Sequence, residues 1–581
     1  MKVIDIIKEE VAQYIGGTQE IAEGVRFSEH KLKRRINIFK NREYPLGKFT
    51  KQGEYKYWPD IIAPLIDSNV KNLRIAPKNF LVFSLAPVRD FPAVFTLNAH
   101  LDEWMWATGR AEELAETNER FTGEGSILFK KAKGGYEVCD FDNTYVINQA
   151  AKNVNQSAII ERFPMTQSEL RAKKNVWNNV ETVIREGCGK KFYKRTAQSA
   201  GNSTTNPQYE IFERNGEISQ RALFEAQGKK GGRNDIYVLA RTIIAGIEDG
   251  APVKDADRIL FAEELPGKMS DYFIEAHRGA YKGRWRREGL YEILFDHQYR
   301  ACELAQQLAR GLDWASKVVF KSNDVKLINN VRTDVRNGGI IRTADFAQVD
   351  VRLHGLDQII VAYNLNLEEA RRLANSYEVI QGENLPANTP FALGQLMDVN
   401  ASKLFVFLKQ KLGTAYSCVY KRFVLSEMIR DLSVKDIVRV TGDTSIIDRF
   451  RMLAVEDWYA RNLIEIGPHT PEMAATIKQM KLQELQKTEP LIKNIREVWK
   501  GIYPRLQIAI TGENYDTSEN LQTIASVLQF EQDLNRRAFL LDMIYAAKGI
   551  PVPPAVQQAV NPEQQQTGKT VRIGEEKEAA V

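Results

Sequence analysis

From Glu288 to Lys317 the chain reads EGLYEILFDHQYRACELAQQLARGLDWASK. Leu290, Leu294, His297, Ala301, Leu304, Leu308, Leu312 and Ala315 succeed one another at steps of three and four, with His297 an amphipathic exception. Residues so spaced share one face of an α-helix, so one long helix is expected here. Thirty residues at about 1.5 Å each would span about 45 Å. A helix of that length with a single narrow apolar stripe packs in a bundle or against a copy of itself.

Downstream, VVFKSNDVKLINNVRTDVRNGGIIRTADFAQVDVRL reads as short strands and turns, with Asn337-Gly338-Gly339 as a tight turn. A second helix is expected from Leu356 through IIVAYNLNLEEARRLANSYEVI. The short base of the insert favours antiparallel helices. The loop GENLPANTP (382–390) precedes a long helical stretch, FALGQLMDVNASKLFVFLKQKLGTAYSCVYKRFVLSEMIRDL. KDIVRVTGD reads as a strand entering a turn, and 471–500 as helix interrupted at Pro490. A last helix is expected from the capping pattern Asp516-Thr-Ser-Glu519 to Gly549 and Pro551. The remaining residues, rich in proline and glutamine with few large apolar side chains, are expected to be mobile.

Upstream, KEEVAQYI fits a first helix. The cluster His30-Lys-Leu-Lys-Arg-Arg-Ile36 that follows is either a solvated face or a contact for nucleic acid or a partner. LRIAPKNFLVFSLAP and YEVCDFDNTYVI read as strands, and LNAHLDEWMWATGRAEELAETNERF between them as helix. MTQSELRAKKNVWNNVETVIREG is expected to be one helix, capped at Thr166 and ended by Gly187 and Gly189. Residues 190–206 form a polar loop, and Arg214-Asn215-Gly216-Glu217 reads as a hairpin turn. DIYVLARTIIAGIEDG and ADRILFAEEL supply further strands. The fold class expected is α+β and helix-rich, without internal repeats.

The chain has 581 residues, a prior for three or four domains at about 150 residues each. Lys+Arg number 80 against 75 Asp+Glu, a net charge of +5, which excludes a polybasic binder working by bulk charge but not a local basic surface. The closest of the four cysteines, Cys139 and Cys188, are 49 positions apart (188 − 139), so there is no CxxC pair, and a reducing compartment is expected. The acidic residues within MKVIDIIKEEVAQYIGG argue against a signal peptide, and no apolar run approaches about 18 residues, so no membrane span is expected.

Chemistry is hard to find in the pattern. Gly568-Lys569-Thr570 lacks the glycine a phosphate loop needs five positions earlier, where Glu563 stands. The six histidines form no HxH, HxxxH or HExxH pattern. Asp140 and Asp142 suit a strand-end turn as well as a cation, and GxSxG and GxGxxG are absent. No catalytic residue, metal ligand or cofactor is therefore assigned. Charge is more informative. From Arg278 to Arg352 there are 14 Lys+Arg and 9 Asp+Glu, a surplus of five (14 − 9) equal to that of the whole chain. The densest part, His277-Arg-Gly-Ala-Tyr-Lys-Gly-Arg-Trp-Arg-Arg287, is either a phosphate or acidic-protein contact or a solvated linker. Lys403, Lys409 and Lys411 sit among Leu404, Val406, Phe407 and Leu408, either as an ordinary amphipathic helix or as a lysine face turned to a polyanion.

This order of parts resembles the portal, or head-to-tail connector, proteins of tailed bacteriophages. Lys282-Gly-Arg284 followed by Glu288-Gly-Leu-Tyr-Glu-Ile-Leu-Phe-Asp-His-Gln298 looks like the start of a portal stem helix. Asn337-Gly-Gly-Ile-Ile341 looks like the centre of a clip, and Gln381-Gly-Glu-Asn-Leu-Pro386 through Thr389-Pro390 like a tunnel loop. The likeness runs over residues 55 to 550. It implies an N-terminal region and α+β wing (1–287), stem helices (288–317 and 356–379), a clip (318–355) and a tunnel loop and helix (380–432). A wing or C-terminal region (433–514), a helical crown (515–550) and a flexible tail (551–581) would follow. The family implies a cyclic homo-oligomer, usually dodecameric, at one capsid vertex of the virion, assembled in the host cytoplasm. Its expected partners are double-stranded DNA passing non-specifically, the terminase, tail adaptor proteins and the major capsid protein, with no membrane. On that analogy Asn384, Lys403, Lys409 and Lys411 would face the DNA channel. Lys326, Arg332, Arg336 and Arg342 would lie on the docking surface of the clip, and Leu294, Leu304 and Leu308 at the subunit interface. The alternatives are a nucleic-acid-processing enzyme, nuclease or terminase-like, and an unrelated intracellular scaffold.

Overall fold

The computed structural model describes residues 2–43, 56–85, 87–191, 208–248, 254–316, 319–322, 346–349, 356–374, 391–432, 437, 439, 445–466, 470–488, 499 and 501–510. All belong to the compact unit Met1–Gly512. The capping pattern at Asp516, the crown helix and the tail fall outside the described residues.

The fold is α+β. Its largest sheet has six antiparallel strands. Five run in the order Ile259–Glu264, Tyr237–Ala245, Gln208–Ser219, Ile159–Thr166 and Thr144–Val146, and the short Lys190–Lys191 also pairs with Gln208–Ser219. The helix Val3–Gly16 covers it with Val3, Ile4, Ile7, Val11 and Tyr14, the apolar stripe its spacing prescribes. A second sheet joins Phe273–His277, Ser126–Ala132 and Gly135–Val138. Lys130 links the two sheets, reaching Glu161 at 2.5 Å and Glu213 at 2.8 Å in the interior. Burial alone would lower its pKa, but the two carboxylates outweigh that and hold it above the usual lysine range.

The largest core is organised by the helix Phe391–Val419. Phe405, Leu408, Leu412, Tyr416 and Val419 are buried and recur at helical spacing, and a single π turn, Tyr420–Val424, continues the run before the helix resumes at Leu425–Asp431. Tyr416 and Tyr420 pack against Phe80, Phe129 and Tyr136. Phe80–Ser84 completes this core by pairing with Leu506–Ile510. Arg505 donates two hydrogen bonds to the buried Asp90, at 2.9 and 3.0 Å, and locks the two distant segments together.

Several sequence expectations need correction. Asn215-Gly216 is no hairpin turn: Gln208–Ser219 is one continuous strand, with Asn215 paired to Ile159 on one side and Arg241 on the other. The glycine is needed because a Cβ on Gly216 would lie 2.6 Å from that of Ala158. The helix from Thr166 breaks into Gln167–Ala172 and Val180–Glu186. The capping box at Thr166 is present, but the Asn178 amide and the Asn179 side chain donate to the carbonyls of Leu260 and Ile259, and that tertiary pairing interrupts the helix. Ile437 and Arg439 are helical where a strand is expected. The strand Leu506–Ile510 and the helix Ser445–Arg461 have no counterpart in the sequence reading.

Candidate functional site

The long helix forms as its spacing requires, over Leu290–Ser316, about 40 Å at 1.5 Å per residue. The return helix occupies Leu356–Leu373, and the residues beyond 374 to which it was expected to extend lie outside the described set. The two are antiparallel. Near one end His297 Nδ1 and Asn366 Oδ1 lie 3.0 Å apart, with Asn366 Nδ2 donating to the His297 carbonyl at 2.9 Å. Near the other, Gly311 lies so close that an added Cβ would meet Leu356 Cδ2 at 2.7 Å. Beyond this pair, the strands Val319–Ser322 and Phe346–Val349 form an antiparallel ladder at the base of the insert. Lys326, Arg332, Arg336 and Arg342 lie outside the described residues, as does Asn384.

The stripe is not left uncovered along its length. Leu290 and Leu294 join Leu32, Ile36, Phe39, Leu65, Ile66, Ala370 and Ala374 in one core, and Leu304 is only 3% exposed. Gln298, fully buried, holds the backbone of Pro59 and Ile61. Leu294 and Leu304 are therefore packed by their own chain, which corrects their placement at a subunit interface. Leu308 is half-buried, and apolar surface is left open elsewhere on the pair. Leu312 is 55% exposed, and Ile360, Val361 and Leu365 are exposed on the return helix. Val361 and Leu365 stand one turn apart, on a different face from Tyr363, Asn366, Leu367 and Ala370, which turn inward.

The foot of the long helix is set by backbone crossing. The helix Arg110–Glu124 ends at Gly125, whose φ of +79 suits glycine. A Cβ there would lie 2.4 Å from the Gly289 nitrogen, and one on Gly289 would lie 2.1 Å from the Gly123 carbonyl oxygen.

The basic segment 277–287 is directed largely inward. Arg284 Nη2 donates to both carboxylate oxygens of Glu292 (2.8 and 2.9 Å), and Arg286 Nε donates to Glu29 Oε1 at 2.6 Å. Trp285 is buried, its indole donating to Glu275 at 2.7 Å, and Arg287 donates to the carbonyls of Arg284 and Lys152. Lys282 is exposed but paired with Glu288 at 2.6 Å. The segment thus fits neither reading offered by its composition, a polyanion surface or a solvated linker. It is a strut between the sheets and the long helix. Sequence gave no local signal for this, because Glu29 stands 257 positions from Arg286.

The His30–Ile36 cluster divides similarly. Lys31, Arg34 and Arg35 face outward, whereas Lys33 is 4% exposed, beside Glu29 at 3.5 Å and donating to the Thr144 carbonyl at 2.5 Å. Burial brings Lys33 down to about 8, against the pull of Glu29. An open cleft of about 520 Å³ lies here, lined by His30, Lys33, Arg34, Asn37, Asp142 and Arg162, with both signs of charge.

The three lysines expected to face a channel do not share one face of their helix. At about 100° per residue, Lys403 and Lys411 are about 80° apart, and Lys409 lies about 120° from Lys403 and about 160° from Lys411. Lys403 is exposed, in line with Phe407, Gln410 and Thr414. Lys409 is half-buried, and burial and then Lys78 lower its pKa. Lys411 is half-buried and donates to the Arg278 carbonyl at 3.2 Å.

Among the described residues there is no group of His, Cys, Asp and Glu able to hold a metal ion, and no helix long and apolar enough to cross a membrane. All four cysteines are free thiols. No protein-family model and no curated protein matches the chain.

Proposed function

We propose that this chain is the subunit of a portal-like ring, the head-to-tail connector of a tailed bacteriophage. Copies would encircle a pore through which double-stranded DNA is packaged and later ejected. One observation carries the reading. Two long antiparallel helices lead from an α+β body to a two-stranded ladder, with the first helix rooted in its own chain's core and apolar residues left exposed at Leu312 and along one face of the return helix. Cyclic assembly is the arrangement that covers such residues with identical neighbours and closes on itself. The insert between the helices would dock the terminase during packaging and the tail adaptor afterwards, and the body would meet the major capsid protein at one vertex.

The charge economy fits the same role. A net charge of +5 per subunit, repeated around a ring, gives a basic belt without the dense phosphate neutralisation that would hold DNA still. The cargo is the whole genome, so no side chain needs to read bases. Lys403, on the exposed stripe of its helix, is the lysine of the three best placed for such a belt.

Negative-stain electron microscopy of the purified full chain, with its mass measured by light scattering, tests the proposal. Perforated rings of uniform subunit number are expected. Compact monomers or dimers at all concentrations overturn it.

A further inference from the structure

Arginine keeps its proton under all ordinary conditions, and a buried cation without an opposite charge is costly. Such a residue marks a place where a counter-ion belongs. Arg278 is one. It directly follows the strand Phe273–His277, its amide donates to the Gly125 carbonyl at 2.9 Å, and it is 9% exposed. Its Nε is buried and meets no hydrogen-bond acceptor, and no carboxylate pairs with it among the described residues. Arg284 and Arg286, a few positions on, both have glutamate partners.

Two further cations approach. Lys411 Nζ sits on the Arg278 carbonyl at 3.2 Å and over the neutral ring of Phe407 at 4.7 Å. Among the described residues Arg287 reaches only carbonyls and the Tyr281 ring, at 4.2 Å. The nearest acidic influence on Arg287 is Glu275, which already accepts from Trp285 at 2.7 Å and lies 3.4 Å from His277. Burial draws Arg278 down to about 10. It also lowers Lys411, which Arg278 and Arg287 depress further. These shifts express the same uncompensated charge.

We propose that Arg278 and Lys411, with Arg287 beside them, bind a phosphate group at the foot of the long helix. The guanidinium supplies a rigid fork of donors and the ammonium a compact charge, the combination that suits a phosphate oxygen set. The phosphate comes either from free inorganic phosphate or from a nucleic-acid backbone. The chemistry is the same, and the site does not depend on the ring reading.

The full chain is titrated with inorganic phosphate in chloride buffer at fixed ionic strength, by calorimetry and thermal unfolding, and then with a short DNA duplex. Saturable phosphate binding that raises Tm is expected, weakened about tenfold or more in Arg278→Gln. In phosphate-free buffer the same variant should be no less stable than wild type, because an unpaired buried charge has been removed. A duplex response that also requires Arg278 assigns the phosphate to nucleic acid; a response to inorganic phosphate alone assigns a free anion. If Arg278→Gln does not fold, Lys411→Gln serves in its place, with the same expected loss. Absence of any saturable response to phosphate or duplex in wild type, or equal affinity in wild type and variant, overturns the proposal.

Discussion

Glu29 Oε1 and Arg286 Nε meet at 2.6 Å in the interior, 257 positions apart in sequence, and Lys33 shares the same carboxylate oxygen at 3.5 Å. The pair ties the second helix of the chain to the segment that launches the long helix. Pairing two charges in the interior contributes little net stability, but removing one of them strands the other. Glu29→Met and Arg286→Met should therefore each cost about 3–5 kcal/mol in urea unfolding. The double variant Glu29→Met/Arg286→Met should cost less than the sum of its parts. Strict additivity would show that the contact does not couple the two sites.

Lys33 makes stability depend on alkaline pH. Burial is the largest influence on it, with Glu29 opposing and Arg286 reinforcing, and its pKa falls from 10.5 to about 8. Between those values the unfolded chain holds a proton that the folded chain has released, so this residue adds stability as pH rises through the window. Relative to Lys33→Met, wild type should gain up to about 3 kcal/mol between pH 8 and 10.5. A difference between the two proteins that stays flat with pH would contradict this.

Gly289 has no room for a side chain, since a Cβ would lie 2.1 Å from the Gly123 carbonyl oxygen and 2.5 Å from the Gly125 nitrogen. Both obstacles are backbone and cannot rotate away. Gly289→Ala should lower stability by about 2–3 kcal/mol, measured by thermal unfolding. Gly134→Ala is the instructive comparison. It carries positive φ, which Gly289 does not, and has nothing within 4 Å, so it should show a backbone penalty in place of the crossing penalty.

Buried and exposed positions of the helix pair should respond differently to charge. Leu304→Asp places a carboxylate in the chain's own core and should destabilise the subunit by about 3 kcal/mol or more. Leu365→Asp, at a position 59% exposed, should leave the subunit's Tm unchanged and abolish ring formation in light scattering. Rings that persist in Leu365→Asp would remove that face from the proposed interface.

Lys403→Glu tests the DNA channel on its own. Lys409 and Lys411 are half-buried, so changing them also disturbs packing, whereas Lys403 lies on the exposed stripe. Assembly should be preserved and packaged DNA reduced, read by nuclease-protected DNA per particle. Full packaging would take Lys403 off the channel wall.

How much of this was legible beforehand varies with the physical cause. The long helix, its return partner and the capping box at Thr166 follow from spacing and local hydrogen bonding, and they stand where those rules put them. Asn215-Gly216 misled because its turn chemistry is permissive rather than compulsory. Pairing on both sides, with Ile159 and Arg241, outweighed a local preference for a hairpin. The strand Leu506–Ile510 was invisible because its partner, Phe80–Ser84, is more than four hundred residues away. The same limit applied to the basic segment at 277–287. Its composition announced charge, but its direction was decided by Glu29 and Glu292.

The amino-acid order alone determined that this chain is α+β, that two long helices flank an insert, and which residues of the first helix lie on one stripe. Those properties depend on contacts within a few positions of each residue. Only the tertiary structure decided that the root of the stripe is covered by its own chain, that Arg284 and Arg286 point inward to acids, and that Arg278 has none among the described residues. A helix's phase is set by its neighbours in sequence. The fate of a buried charge is set by whichever distant segment folding brings beside it.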